Sequence, residues 1–227
     1  MKKSLIAFLM SIFLIMSVST IYAASDGIAL SIDCPQELSE NVAFPDVSNH
    51  WAKEYINKAA KLGLFKGDDQ GNFNPDAPVT RAQFVTVLWR MAGKTEVTEK
   101  TPFEDIENQI DEFKSAIPWG YKNGYINGIS ETIFDPNSAI TREAGMKILH
   151  YYSGGKTGGE TMFAGIYDGT FIDSKDISVW AKPSVYWGIY NKLISGTSAD
   201  TLTPKGTATR AQLAKILVDY IDTYNNY

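Results

Sequence analysis

The sequence predicts a mainly α-helical protein in which three helix-loop-helix repeats share one core in a pseudo-threefold arrangement. Two observations predict it: a set of markers recurs three times in register, and the segments between the markers carry helical apolar periodicity. The first repeat opens with Phe44-Pro45-Asp46-Val47, the second with Phe103-Glu104-Asp105-Ile106 and the third with Phe171-Ile172-Asp173. Each ends on a Thr-Arg pair, at Thr80-Arg81, Thr141-Arg142 and Thr209-Arg210. A glycine stands 13 residues before each threonine, at Gly67, Gly128 and Gly196. Pro75, Pro136 and Pro204 each follow that glycine by eight residues, with Phe73, Phe134 or Leu202 two positions earlier. One helix pair cannot bury its own apolar face, whereas three pairs side by side can.

In chain order, residues 1–23 read as a secretory signal peptide. Lys2 and Lys3 precede an apolar run from Leu5 to Met16, then small polar residues and a cut after Ala23. The run is 12 residues, short of the ~20 that a spanning helix needs, so the membrane is met only transiently, during export. Cleavage takes the formal charge from −5 to −7. Residues 24–43 form an N-terminal arm. Its Cys34 follows Asp33 rather than the small residues of a lipoprotein, and reads as a lone thiol.

The first repeat spans 44–93. Trp51, Tyr55, Ile56, Ala59 and Ala60 fall on one face of a first helix that stops near Gly63. Gly67-Asp68-Asp69-Gln70-Gly71-Asn72 is turn chemistry, followed by the short Phe-x-Pro. Phe84, Val85, Leu88 and Met91 mark the second helix. Thr80 and Gln83 suit a capping box, in which each side chain bonds the other's backbone N–H. Lys94–Pro102 connects to the second repeat, 103–153, whose second helix carries Met146, Leu149 and Tyr152. There Thr141 meets Ala144 instead of a glutamine, so half of the box is lost. The Gly-rich stretch 154–170 is a linker. The third repeat, 171–222, restores the pattern with Trp180, Val185, Trp187, Ile189 and Leu193, then Leu213, Ile216, Leu217 and Tyr220. Pro183 sits where a helix's first turn tolerates it, and Thr209 with Gln212 completes a second capping box.

Composition narrows the function. Lys and Arg number 21 against 26 Asp and Glu, with no basic run, which disfavours nucleic acid as a partner. One cysteine and two histidines, His50 and His150, leave little for a metal centre or a Cys/His catalytic pair. No cofactor motif occurs. Acidic pairs such as Asp68–Asp69 or Asp105–Glu107 have the residue type that glycoside hydrolysis uses, but lie in turns or on polar faces.

The ordered set Phe-x-Asp, Trp-Ala-Lys, central glycine, Phe-x-Pro and Thr-Arg-Ala-Gln resembles the S-layer homology domain. The resemblance covers roughly residues 44 to 222, in three tandem copies. It implies a three-pronged helical module, secreted and held at the bacterial cell wall or S-layer. Such modules bind secondary cell-wall polysaccharide non-covalently, commonly through a pyruvate ketal on the terminal sugar, and are not enzymes. The ligand lies in grooves between repeats, lined by the Thr-Arg arginine, an aspartate, a tryptophan and backbone near the glycine. Carried over, these are Arg81, Arg142 and Arg210; Asp46, Asp105 and Asp173; Trp51 and Trp180; Gly67, Gly128 and Gly196.

Each has a second reading. An arginine opening a helix sits where the dipole is already positive, so it needs a partner: an anionic ligand shared with the helix N-terminus, or a salt bridge such as Arg81 to Asp46. The aspartates are expected chiefly to cap or orient. The tryptophans either stack on a sugar or pack in the core, and the glycines allow a positive φ or a close approach of the ligand, or simply serve a turn. Counting back 16 from the central glycine reaches Trp51 and Trp180 but Glu112 in the second repeat, beside Phe113. Glu143 adjoins Arg142 as a possible competitor, so Arg81 and Arg210 are expected to matter most and Arg142 least. The alternative functions are a protein-interaction adaptor at the cell surface and, more remotely, a wall-acting hydrolase. Oligomeric state is not legible in the sequence.

Overall fold

The computed structural model describes residues 43–155 and 168–224; residues 1–23, which read as a signal peptide, Cys34 and most of the Gly-rich stretch 154–170 lie outside them. Six helices follow in pairs: α1 (Lys53–Lys61) and α2 (Arg81–Met91), α3 (Asp111–Lys122) and α4 (Arg142–Tyr152), α5 (Lys182–Tyr190) and α6 (Arg210–Tyr224). A 3₁₀ turn precedes each pair, at Pro45–Val47, Glu104–Ile106 and Ser174–Asp176. The described residues form no strand, only three isolated bridges where the Thr-Arg segments meet.

Local chemistry sets the helix ends. Thr80 and Gln83 form the reciprocal box, with Thr80 Oγ1 accepting from the Gln83 N–H and Gln83 Oε1 accepting from the Thr80 N–H. Thr209 and Gln212 repeat it at 3.2 Å in both directions. Thr141 caps only one way, through the Ala144 N–H. Pro183 occupies the first turn of α5. α3 runs through Pro118, which has no N–H to donate to the preceding turn.

The first helix of each repeat packs on the second helix of the repeat before it: α3 on α2, α5 on α4, and α1 on α6. All three repeats feed one hydrophobic core, with Phe73, Phe84, Phe134, Ile140, Met146, Leu202 and Tyr220 wholly buried. At its centre the backbone closes a ring. The Val79 N–H donates to Ala208 O (2.9 Å), Ala208 to Ile140 O (3.0 Å) and Ile140 to Val79 O (2.9 Å). Each repeat thus satisfies backbone groups of the other two, and no pair of repeats keeps the ring if the third is removed.

Candidate functional site

The loops between paired helices are built alike, and the three aspartates hold them. Asp46 accepts from the N–H groups of Phe73 and Asn74 at 2.9 and 2.6 Å. Asp105 accepts from Phe134 and Asp135, and Asp173 from Leu202 and Thr203, at 2.9 and 2.7 Å each. None makes a side-chain cap; they clamp the Phe-x-Pro strip to the start of their own repeat. The middle residue of that strip, Asn74, Asp135 or Thr203, has φ near +60°, and the clamp holds this uncommon conformation. Burial works to raise the Asp173 carboxyl, but the two N–H donors keep it below its ordinary value.

The central glycines are required by close approach alone. Gly67, Gly128 and Gly196 do not have positive φ, which removes that expectation. A Cβ on Gly128 would lie 2.3 Å from Ser130 O and 2.5 Å from Ile133 O. On Gly196 it would lie 2.3 Å from Ser198 O and 2.8 Å from Thr201 O. At Gly67 the limits are the Phe44 ring at 2.9 Å and Asn72 O at 3.1 Å.

The arginines reach across repeats. Arg81 donates through Nε to Phe134 O (2.9 Å) and through Nη2 to Asn127 O (3.0 Å). Arg142 donates to Leu202 O (3.0 Å) and Ser195 O (2.6 Å), and Arg210 to Phe73 O (2.7 Å) and Lys66 O (2.9 Å). The contacts run from the first repeat to the second, the second to the third, and the third back to the first. Arg81 and Arg210 also lie 4.5 Å over the Phe134 and Phe73 rings. The partners are carbonyls, and no Arg81–Asp46 salt bridge forms. Burial pulls all three arginines below their ordinary value, partly countered by nearby aspartates; at neutral pH they remain cationic.

Two sequence expectations change here. The first N–H groups of α2, α4 and α6 are already bonded to loop carbonyls of a neighbouring repeat, such as Arg142 to Gly206 O and Glu143 to Pro204 O at 2.9 Å. They are therefore not donors for a ligand, which would meet only the guanidinium. Glu143, in turn, is buried and turned away from Arg142: its carboxylate accepts from the Ser178 N–H (2.9 Å) and Oγ (2.7 Å).

Trp51 and Trp180 precede their helices and are 59% and 51% exposed, so neither is a core residue. Trp51 lines a cavity of about 310 Å³ with Arg142, Ser195, Gly196, Thr197, Gln212 and Lys215. All three repeats contribute: Trp51 from the first, Arg142 from the second, the loop and α6 from the third. Lys215 pairs with Asp219 at 2.5 Å. On another face, Lys147 sits 5.2 Å from the Trp180 ring. A second cavity, about 160 Å³, is lined by Lys66, Arg90, Glu112, Phe113 and Arg210. Glu112 bonds Arg90 Nη2 at 2.5 Å and Lys66 Nζ at 3.2 Å. Burial raises its carboxyl, and these two cations outweigh that and hold it below the ordinary value. Sequence reasoning missed Lys147 and Lys215, although both stand five residues after a Thr-Arg arginine, where the first repeat has Thr86.

An inter-repeat arginine latch, an aspartate-clamped loop and a cavity walled by several repeats define a class of tandem-repeat module. The S-layer homology domain model matches residues 43–85, 102–144 and 170–214, and the chain belongs to that family. Among its relatives, "Exoglucanase XynX" of Acetivibrio thermocellus is 30% identical over 83% of this chain and 17% of its own length. "Surface-layer 125 kDa protein" of Lysinibacillus sphaericus is 29% identical over 73% of this chain and 14% of its own length. "Cellulosome-anchoring protein" of Acetivibrio thermocellus is 25% identical over 66% of this chain and 33% of its own length. The chain spans a small part of each of these longer proteins.

Proposed function

We propose that this chain is a non-covalent anchor at the bacterial cell surface, binding secondary cell-wall polysaccharide without hydrolysing it. It is a cell-surface, S-layer-associated protein by family, and its relatives include surface-layer and cellulosome-anchoring proteins. The observation that carries the reading is the Arg142 cavity. A buried cation, Arg142, shares it with an indole standing half in solvent, and the Lys215 beside them is already paired with Asp219. An anionic sugar suits that combination: its carboxylate meets the guanidinium and its apolar face lies on Trp51. A pyruvate ketal on a terminal sugar supplies both features in one residue, and is our choice of ligand.

The test is sedimentation with purified wall stripped of protein, before and after mild acid removal of ketals. Retention on native wall, reduced on ketal-free wall, is the expected result. Equal retention on both would refute the ketal, and release of reducing sugar would refute the non-enzymatic reading.

A further inference from the structure

Glu112 holds in the second repeat the place that Trp51 and Trp180 hold in the other two, each 16 residues before the central glycine. The cyclic packing carries it not to Arg142, in its own repeat, but into the cavity of Arg210. Three cations converge there: Lys66, Arg90 and Arg210. Arg90 is nine-tenths buried, donates Nη1 to Leu64 O at 2.9 Å, and its buried Nε has no hydrogen-bond partner. Arg90 is also close enough to Arg210 to lower its proton affinity. A buried cation such as Arg90 is costly without an anion. Asp46 and Asp68 lie near enough to Arg210 to support its charge, but the carboxylate lining the cavity is Glu112, bound to both Arg90 and the more exposed Lys66.

The matching position in α6 makes the contrast. There Asp219 stands where α2 has Arg90, and it neutralises Lys215 from the same helix. The rim of that cavity is thus left to Trp51, with no acid on it. In the Arg210 cavity the acid is itself on the rim and no indole is present. We propose that Glu112 is a built-in anion that closes the Arg210 groove to an anionic saccharide, so that the Arg142 groove with Trp51 is an open site and the Arg210 groove is a shut one. This rests on the anionic-saccharide reading above, and reverses the order expected from sequence: Arg142 matters for binding and Arg210 does not.

The experiment is calorimetric titration of the full chain with a synthetic monosaccharide bearing a pyruvate ketal, in wild type, Glu112→Ala, Glu112→Gln and Glu112→Ala/Arg210→Gln. Removing the acid should raise the number of bound saccharides by one, with at least tenfold tighter binding at the new site than wild type shows there. The gain should be smaller in Glu112→Gln and absent in the double variant. Arg210→Gln alone should leave wild-type binding unchanged. An unchanged site number in Glu112→Ala, or weakened wild-type binding in Arg210→Gln, overturns the proposal.

A second readout separates the gate from the ligand. Thermal melts in sodium pyruvate against sodium chloride at equal ionic strength should show pyruvate stabilising Glu112→Ala more than wild type, in which the Arg210 place is filled, because the free carboxylate refills the vacated place. If that occurs while no protein binds the saccharide, the gate stands and the saccharide reading falls. If pyruvate stabilises both proteins equally or neither, the gate falls.

Discussion

Replacing Arg142 by alanine removes the latch between the second and third repeats. The residue is 6% exposed, and its guanidinium donates to Leu202 O at 3.0 Å and Ser195 O at 2.6 Å. A hydrogen bond to a charged group contributes about 1.5–3 kcal/mol. The two bonds share one side chain and are not additive, so the loss should be about 3 kcal/mol. For a chain of this size 1 kcal/mol corresponds to roughly 2–4 °C, which places the fall in melting temperature at about 6–12 °C. Urea titration should show the same loss in midpoint with an unchanged slope, since the surface exposed on unfolding is unaltered. Arg142→Lys keeps the charge, but a point ammonium does not span two carbonyls as the planar fork does, so it should recover less than half of the loss. A loss under ~1 kcal/mol for Arg142→Ala would refute the latch. In saccharide titration the same variant should lose about tenfold or more in affinity, one charge-assisted bond's worth. Trp51→Ala, which removes an exposed ring, is the control that should weaken binding without lowering the melting temperature.

Three further outcomes follow from the packing. Gly128→Ala and Gly196→Ala push a methyl group against backbone carbonyls at 2.3 Å, and each should destabilise by about 3 kcal/mol, the upper end of overpacking. Gly67→Ala, limited by a ring and a carbonyl near 3 Å, should cost roughly 1 kcal/mol; equal losses at all three positions in chemical denaturation would contradict the close-approach argument. His150, stacked on Trp187 and 3.0 Å from Ser184 Oγ, is held below its ordinary pKa by burial. The unfolded chain therefore takes up a proton first as pH falls, so this contribution is complete above about pH 6.5 and is lost below it. His150→Phe should flatten that part of the stability–pH curve, and an unchanged slope would sink the assignment. A chain ending at Ser153 lacks α5 and α6, uncovers α1 and α4, and breaks the Val79–Ala208–Ile140 ring, so it should melt without a cooperative transition in calorimetry.

The sequence by itself determined what depends on short-range spacing. Thr80 with Gln83 and Thr209 with Gln212 name their helix starts, because a capping box closes within one turn. The triple recurrence of Phe-x-Asp, glycine and Phe-x-Pro locates the loops for the same reason. Even the lost half-cap at Ala144 was legible. Tertiary structure decided what lies opposite what. Periodicity placed Trp51 and Trp180 among apolar neighbours, but exposure depends on what covers a residue, and both stand just ahead of their helices with solvent beside them. The glycines were open to a positive φ, a close ligand approach or a turn, whereas the constraint is a carbonyl folded back so that a Cβ would lie 2.3 Å from it at Gly128 and Gly196. The arginines' partners proved to be carbonyls of the next repeat, far away in the chain. Above all, Glu112 was read as a defect of Arg142's repeat and belongs to Arg210's cavity. Local pattern assigns a residue to its own repeat, but each cavity wall here is contributed by several repeats, and only closure of the ring determines which ones meet.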